Sequence, residues 1–164
     1  MAEFRFNNDH NTAQASAVID VLRQPRLWIP TEKNYPGYDT WLQKVEGQII
    51  SGTKRAMVAY FGNKTVGAVV YQRHPEIPDT LEVRNISVSP DVGGRYVGSF
   101  MLRNSELEAA AHDFPGIERI TVDTKQDNTG MTKFLLDHEY RLEEVRDLYG
   151  LDAGLDAVFV KTLQ

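Results

Sequence analysis

The stretch Leu81–Glu106, LEVRNISVSPDVGGRYVGSFMLRNSE, constrains the fold more than any other part of the chain. Leu81, Val83, Ile86 and Val88 read as an apolar strand, followed by a turn rich in proline and glycine. A long helix is predicted from about Gly94 to His112, ended by Pro115-Gly116. A buried strand that runs through a glycine turn into a helix offers backbone N–H groups to a phosphate. The pattern points to a grip on the pyrophosphate of a nucleotide-type cofactor, with a catalytic base on the strand before it.

The flanking segments build a sheet around that stretch. Phe4–Asn7 reads as a short strand. Asn11-Thr12 then caps a helix whose stripe is Ala17, Val18, Val21 and Leu22, with Gln14 placed to close a capping box. Residues 25–37 form a loop with three prolines, anchored by Trp28 and Tyr35. Tyr38, Trp41, Leu42, Val45 and Ile49 mark a second helix that stops at Gly52. Arg55–Phe61 and Val66–Gln72 are strands apolar on both faces, joined by Gly62-Asn63-Lys64. Thr80–Ser89 and Arg119–Thr124 are further strands, and Met131, Phe134, Leu135 and His138 mark a short helix over Thr129–His138. Arg141–Leu148 and Asp156–Leu163 close the chain as strands. The sum is a mixed α/β sheet with helices on both sides. On the third helix, Val97, Met101, Leu107 and Ala111 are expected in the core.

At 164 residues the chain is read as a single domain, 1–164. With 41% apolar and 25% charged residues it has the composition of a soluble globular protein, and no apolar run approaches membrane-spanning length. The N-terminus MAEFRFNNDHN lacks an apolar signal core, so a cytoplasmic location is expected. A net charge of -5 argues against a nucleic-acid partner and suits a soluble protein. The absence of cysteine removes disulfides and thiolate chemistry. His10, His74, His112 and His138 do not pair at metal-ligand spacing, so no metal is expected and they read as surface or packing residues.

The order of elements and the central stretch together resemble the GCN5-related N-acetyltransferase (GNAT) superfamily, over about Phe4 to Leu163. The family's run, commonly P-x-x-R-G-x-G-x-G-S, lies over Pro90-Asp91-Val92-Gly93-Gly94-Arg95-Tyr96-Val97-Gly98-Ser99. Pro90, Gly94, Gly98 and Ser99 match. Gly93 stands where a basic or amide residue is usual, and Tyr96 where a small one is usual. The resemblance implies a mixed, mostly antiparallel central sheet of six to seven strands with helices on both faces.

It also implies an acyl-CoA, acetyl-CoA first of all, as co-substrate without a metal. The backbone of Ile86, Ser87 and Val88 would bond the pantetheine arm like an added strand. The N–H groups of Gly93, Gly94, Arg95, Tyr96, Val97, Gly98 and Ser99 would hold the pyrophosphate, with a side chain at 96 crowding that approach. Asn128 falls at the family's asparagine before the fourth helix, and also suits a helix cap. Glu82 falls at the glutamate that acts as general base in some members, where partial burial would raise its pKa toward that task. Its alternative is a surface carboxylate paired with Arg84 or Arg73. The family's usual tyrosine acid falls on Leu135, Tyr140 is read as packing, and Tyr149 is the candidate substitute acid.

The resulting expectation is an N-acyltransferase acting on a small-molecule or peptide amine by direct transfer, not on nucleic acid or a membrane, with a homodimer left open. The rival reading is a non-catalytic acyl-CoA-binding module on the same fold, supported by Gly93, Tyr96 and Leu135. The acceptor would be chosen by Trp28–Ile50 and by the loop carrying Asp147, Asp152 and Asp156, whose carboxylates read as a solvated acidic loop.

Overall fold

Strands apolar on both faces must be covered on both faces, and the sheet meets that demand. The structure is a computed structural model that describes residues 1–24, 37–93, 96–150 and 154–164. The chain runs β1 (Phe4–Asn7), α1 (Thr12–Leu22), α2 (Tyr38–Ile50), β2 (Arg55–Phe61), β3 (Lys64–Arg73), β4 (Thr80–Val88), α3 (Val97–Glu108), β5 (Arg119–Lys125), α4 (Thr129–Asp137), β6 (Arg141–Arg146) and β7 (Asp156–Thr162). A single 3-10 turn, Pro90–Val92, precedes α3, and a π-helical turn, Ala109–Asp113, extends it. The expected loop anchors Trp28 and Tyr35, and Gly94, Arg95 and Asp152, lie outside the described residues.

The seven strands lie in the order β1-β2-β3-β4-β5-β7-β6. Only β4 and β5 are parallel; every other neighbouring pair is antiparallel. The β2–β3 connection is a two-residue turn, with Phe61 paired to Lys64 and Gly62 at φ +61°. One face packs Met57, Val69, Leu81, Val83, Ile120 and Phe159 against Met101 and Leu102 of α3 and Leu135 of α4. The other packs Ala56, Val58, Ala68 and Val70 against Val18 and Leu22 of α1 and Leu42, Val45 and Ile49 of α2.

Two local expectations are corrected. Asn11 caps α1 by accepting from the Gln14 N–H at 2.9 Å. The Gln14 side chain, however, does not turn back to complete a capping box. It is buried and donates to the carbonyls of Asn7 and Ala56, both at 3.0 Å. There it joins the end of β1 to α1 and β2, which satisfies two backbone acceptors inside the fold. In α3, Leu107 is 68% exposed and Ala111 is also exposed. The buried side is Val97, Met101, Leu102, Ser105, Glu106 and, one turn on, Ala109. A step of six residues from 101 to 107 rotates about 240° round a 3.6-residue helix and leaves the core side. Helix α3 begins at Val97 rather than Gly94.

Gly67 on β3 is the tightest point of this packing. A Cβ there would sit 3.1 Å from the Ser87 carbonyl oxygen and 2.8 Å from Met101 Cε. The methionine tip can swing away, but the β4 backbone cannot without disturbing its ladder. Gly67→Ala is expected to destabilise the protein by about 1–3 kcal/mol, the usual range for overpacking. Chemical denaturation of the two proteins checks this.

Candidate active site

The site begins where two strands stop pairing. Parallel pairing of β4 with β5 runs from Thr80 and Arg119 to Val83 and Val122, and goes no further. Beyond it, β4 continues to Val88 bonded to β3, while β5 continues to Lys125 bonded to β7. At the parting, β4 carries a bulge: Val70 pairs with Asn85 and Tyr71 with Val83, so Arg84 is the extra residue. The bulge moves the side-chain alternation by one place. Leu81 and Val83, and then Ile86 and Val88, all face the α3 side. The backbone groups of Ile86 and Val88 are thereby left on a free edge toward β5, whereas those of Ser87, expected on the same edge, face Ala68 of β3, because Ser89 bonded to Val66 sets the alternation of the antiparallel pair.

That edge leads directly to a helix N-terminus. Ser89 is tied back by its N–H to the Val66 carbonyl at 2.7 Å, and the Pro90–Val92 turn follows. Tyr96 is the N-cap of α3, in the left-handed region at φ 60°, ψ 11°, with its side chain 83% exposed. Its carbonyl accepts from the Phe100 N–H at 2.9 Å. Among the described residues the N–H groups of Val97, Gly98 and Ser99 have no carbonyl partner, and as first-turn donors they favour negative charge. Gly98 lies between Val88 and Phe134, each 3.5 Å from where its Cβ would be, which is ordinary contact. Gly93 differs from expectation. Its N–H already donates to the Pro90 carbonyl at 3.2 Å, because the 3-10 turn closes on it.

The α1/α2 face of the sheet carries a charged cluster beside this parting. Glu82 is 8% exposed, and accepts from Gln72 Nε2 and Arg84 Nη1, both at 2.7 Å. Burial acts to raise its pKa. The Arg84 charge and the hydrogen bonds from Gln72 and Arg84 outweigh that, and the net direction is down. Tyr149 donates its hydroxyl to Asp123 Oδ2 at 2.7 Å. Burial and then the Asp123 charge push the Tyr149 phenol up. Burial also pushes Asp123 up, against the Tyr149 hydrogen bond and the Arg84 charge. Asp156, 1% exposed, pairs with Lys125 Nζ at 2.8 Å and accepts from the Leu148 N–H at 3.1 Å.

The family model described as the Acetyltransferase (GNAT) family matches residues 20–139, well over half of the chain. The chain belongs to the GNAT acetyltransferase family. Solved structures share the fold at low identity. A GNAT-family protein from Desulfovibrio desulfuricans is 13% identical, with a TM-score of 0.79 over 98% of this chain and 99% of that one. The paiA N-acetyltransferase of Thermoplasma acidophilum, solved with coenzyme A, is 15% identical, with a TM-score of 0.69 over 98% and 99%. NAA60 of Arabidopsis thaliana, solved with a bisubstrate analogue, is 12% identical, with a TM-score of 0.73 over 98% of each chain. No curated protein sequence matches.

Set in the GNAT fold, the expected residues divide. Glu82 and Tyr149 lie in one cluster, joined through Arg84 and Asp123. Glu82 is inside the sheet and paired with Arg84, while Arg73 instead donates to the Pro115 carbonyl at 3.0 Å. The expected upward pKa of Glu82 is corrected to a downward one, since a cation and an amide donor act against desolvation. Asn128 caps α4, its Oδ1 accepting from the Met131 N–H at 3.2 Å. Leu135 is core, and buried Tyr140 donates to Glu106 at 2.9 Å, a packing role as expected. Asp156 is a buried ion-pair member rather than part of a solvated acidic loop, whereas Asp147 accepts the N–H groups of Tyr149 and Gly150 in a turn. Among the described residues no group of three His, Asp or Glu could hold a metal ion, and no helix is long and apolar enough to cross a membrane.

Sequence reasoning missed Asp123 and Lys54. Asp123 was within reach, because alternation with Ile120 and Val122 sends Thr121 and Asp123 to the opposite face. Lys54 gives no such signal, lying in the bend between α2 and β2. It is 6% exposed. Burial, then the Arg84 charge, lower its pKa to about 8, with Glu82 opposing and Lys44 of α2 adding.

A lysine held this way destabilises the fold while charged. Below pH about 8 both folded and unfolded chains hold the proton, and the full penalty applies. Between about 8 and the ordinary 10.5 the unfolded chain binds more protons, so this group makes stability rise with pH. The gain across that window is about 3 kcal/mol. Lys54→Met is expected to be more stable than the parent at pH 7 and to lose this rise, as read by denaturation at pH 7, 9 and 10.

Proposed function

We propose that this GNAT protein is an acyl-CoA-dependent N-acyltransferase that moves an acyl group, acetyl in the first instance, to a primary amine by direct transfer in a ternary complex. The observation that carries the reading is the parting of β4 from β5 after Val83 and Val122, beside the N-terminus of α3. A free strand edge and an uncapped helix start, one after the other, suit an amide-bearing arm that ends in phosphates. The backbone of Ile86 and Val88 would take the amides, with Ser87 between them bonded to β3, and the N–H groups of Val97, Gly98 and Ser99 the pyrophosphate. Asn128 would add its Nδ2, since Oδ1 is committed to the α4 cap. A bound acyl-CoA supplies the activated acyl group. That two fold relatives were solved with coenzyme A and with a bisubstrate analogue supports the same reading.

Glu82 is the group to receive the amine's proton. Arg84 and Gln72 keep it ionised at neutral pH, so it accepts a proton without first losing one. The same contacts make it a weak base, so the amine must be held close for transfer to compete. Tyr149 is poorly placed as an acid, because its hydroxyl is committed to Asp123 and its proton is held more tightly than in free tyrosine. A thiolate leaving group, with an ordinary thiol pKa of about 8.5, departs near neutral pH without one. In this reading Tyr149 acts by positioning Asp123.

The engaged Gly93 N–H and the paired Glu82 favour a second reading, an acyl-CoA-binding module without turnover. Acetyl-CoA at a hundredfold excess over its Kd is expected to stabilise the protein by about 3 kcal/mol. No calorimetric binding and no thermal shift would sink both readings. Glu82→Gln is expected to lower kcat by roughly 10²–10⁴-fold while leaving acetyl-CoA affinity intact. A variant with unchanged turnover removes Glu82 from the chemistry, and a parent without turnover on any amine leaves the binding module.

A further inference from the structure

Helix α3 carries a second feature, on its side toward β1. Phe100, Asn104 and Glu108 recur every four residues and so share one side of the helix. With Phe6 and Asn7 of β1, Asn8 just after it, and Met57 of β2, they line a groove of about 190 Å³. That is room for an aromatic ring or a short hydrocarbon chain. The rings of Phe6 and Phe100 lie with centroids 4.1 Å apart, and buried Met57 belongs to the core beneath them.

The polar atoms that the groove has left over are mostly acceptors. Asn7 is committed to Asp9, donating from Nδ2 at 2.6 Å and accepting the Asp9 N–H at 3.0 Å. Asn104 donates Nδ2 to the Phe100 carbonyl at 2.8 Å. A carbonyl can only accept, so this bond fixes the amide's orientation and leaves Oδ1 to the groove. The Asn8 side chain makes no hydrogen bond among the described residues. Among the same residues the half-buried Glu108 carboxylate has neither an ion pair nor a hydrogen bond. Its charge is felt by His10 and Tyr71. Those two groups and Arg55 gather on Asp113 instead: Tyr71 donates to it at 2.7 Å, and His10 Nε2 and Arg55 Nε each stand 3.7 Å from it.

A carboxylate, a carboxamide oxygen and two phenyl rings at one groove favour positive charge on an apolar body. A metal ion does not fit, since among the described residues no group of three His, Asp or Glu could hold one. The groove is also apart from the acyl-CoA path. Strand β1 stands three strands from β4, about 14 Å at the usual spacing. Glu108 lies nine residues beyond Ser99, again about 14 Å along the helix. We propose that this groove is a second binding site, for a small organic cation with a primary ammonium group on a phenyl or short hydrocarbon body. Glu108 and Asn104 Oδ1 accept from the ammonium, and Phe6, Met57 and Phe100 pack against the body. The site stands whether or not the chain transfers acyl groups.

The test titrates benzylamine and n-butylamine, against benzyl alcohol and n-butanol, into the full chain at pH 7, followed by backbone amide NMR shifts. At least one amine is expected to bind about tenfold or more tighter than its alcohol, the discrimination a charge-assisted hydrogen bond gives. The shifts are expected at Asn8, Asn104 and Glu108. Glu108→Gln is expected to abolish the preference for the amine, and Phe100→Ala to weaken amine and alcohol alike. Amines that do not bind, or bind no better than the alcohols, overturn the proposal, as does a preference that survives Glu108→Gln. Shifts confined to β4, β5 and the start of α3 also overturn it, and place the amine at the acceptor site of the acyltransferase reading instead.

Discussion

The parallel pairing of β4 with β5 ends after Val83 and Val122, and the site depends on that ending. A fully paired β4 would have its edge satisfied by β5 and nothing to offer a ligand. The bulge at Arg84 goes with the parting, because the extra residue bends β4 and shifts which side chains face each layer. One residue of offset keeps Ile86 and Val88 packed on the α3 side, as Leu81 and Val83 are, while Glu82 and Arg84 remain on the α1/α2 side. The strand thus serves the core before and after the bulge. Gly67 supports the same stretch from the β3 side, since its missing side chain leaves room for Met101 of α3 and for the Ser87 carbonyl, which faces β3.

The α3 start explains both the family's glycines and this chain's departure from them. Tyr96 occupies a left-handed conformation, φ 60°. Glycine adopts that region freely, and other residues pay about 1–2 kcal/mol for it. The small residue usual at this position therefore answers a backbone demand as much as a need for space near a phosphate. Tyr96 meets the backbone demand at a cost, and its ring is 83% exposed rather than packed under the helix. Among the described residues the first-turn N–H groups of Val97, Gly98 and Ser99 have no carbonyl partner.

The sheet was legible because its signals are local. Apolar residues on both faces of β2 and β3, and the Gly62-Asn63 turn, gave strands, hairpin and layers close to their observed places. Burial on a helix was less so. The stripe through Leu107 and Ala111 fails because apolar residues were joined across a step that leaves the core side. Gln14 fails as a capping-box member because a buried carbonyl of Ala56, 42 residues away, competes for the amide. What could not be read at all is register. The Arg84 bulge shows in the sequence as the step of three from Val83 to Ile86, but the Val83/Val122 limit has no signature in periodicity, and with it went the environment of Glu82.

Electrostatics follow from that hidden register. Partial burial alone would raise the pKa of a strand glutamate, and that is the natural inference from sequence. Pairing Glu82 with Gln72, and bulging Arg84 out beside it, puts a cation and an amide within 2.7 Å and reverses the sign. Arg84 then cannot also serve Asp123 fully, and Tyr149 supplies that carboxylate with its hydrogen bond. Lys54 is the residue this arrangement leaves over: buried with the cluster, repelled by Arg84, and denied Glu82 as a partner. Methionine would fill the same space without the desolvation cost, so the lysine lowers the stability of the fold for as long as it is charged.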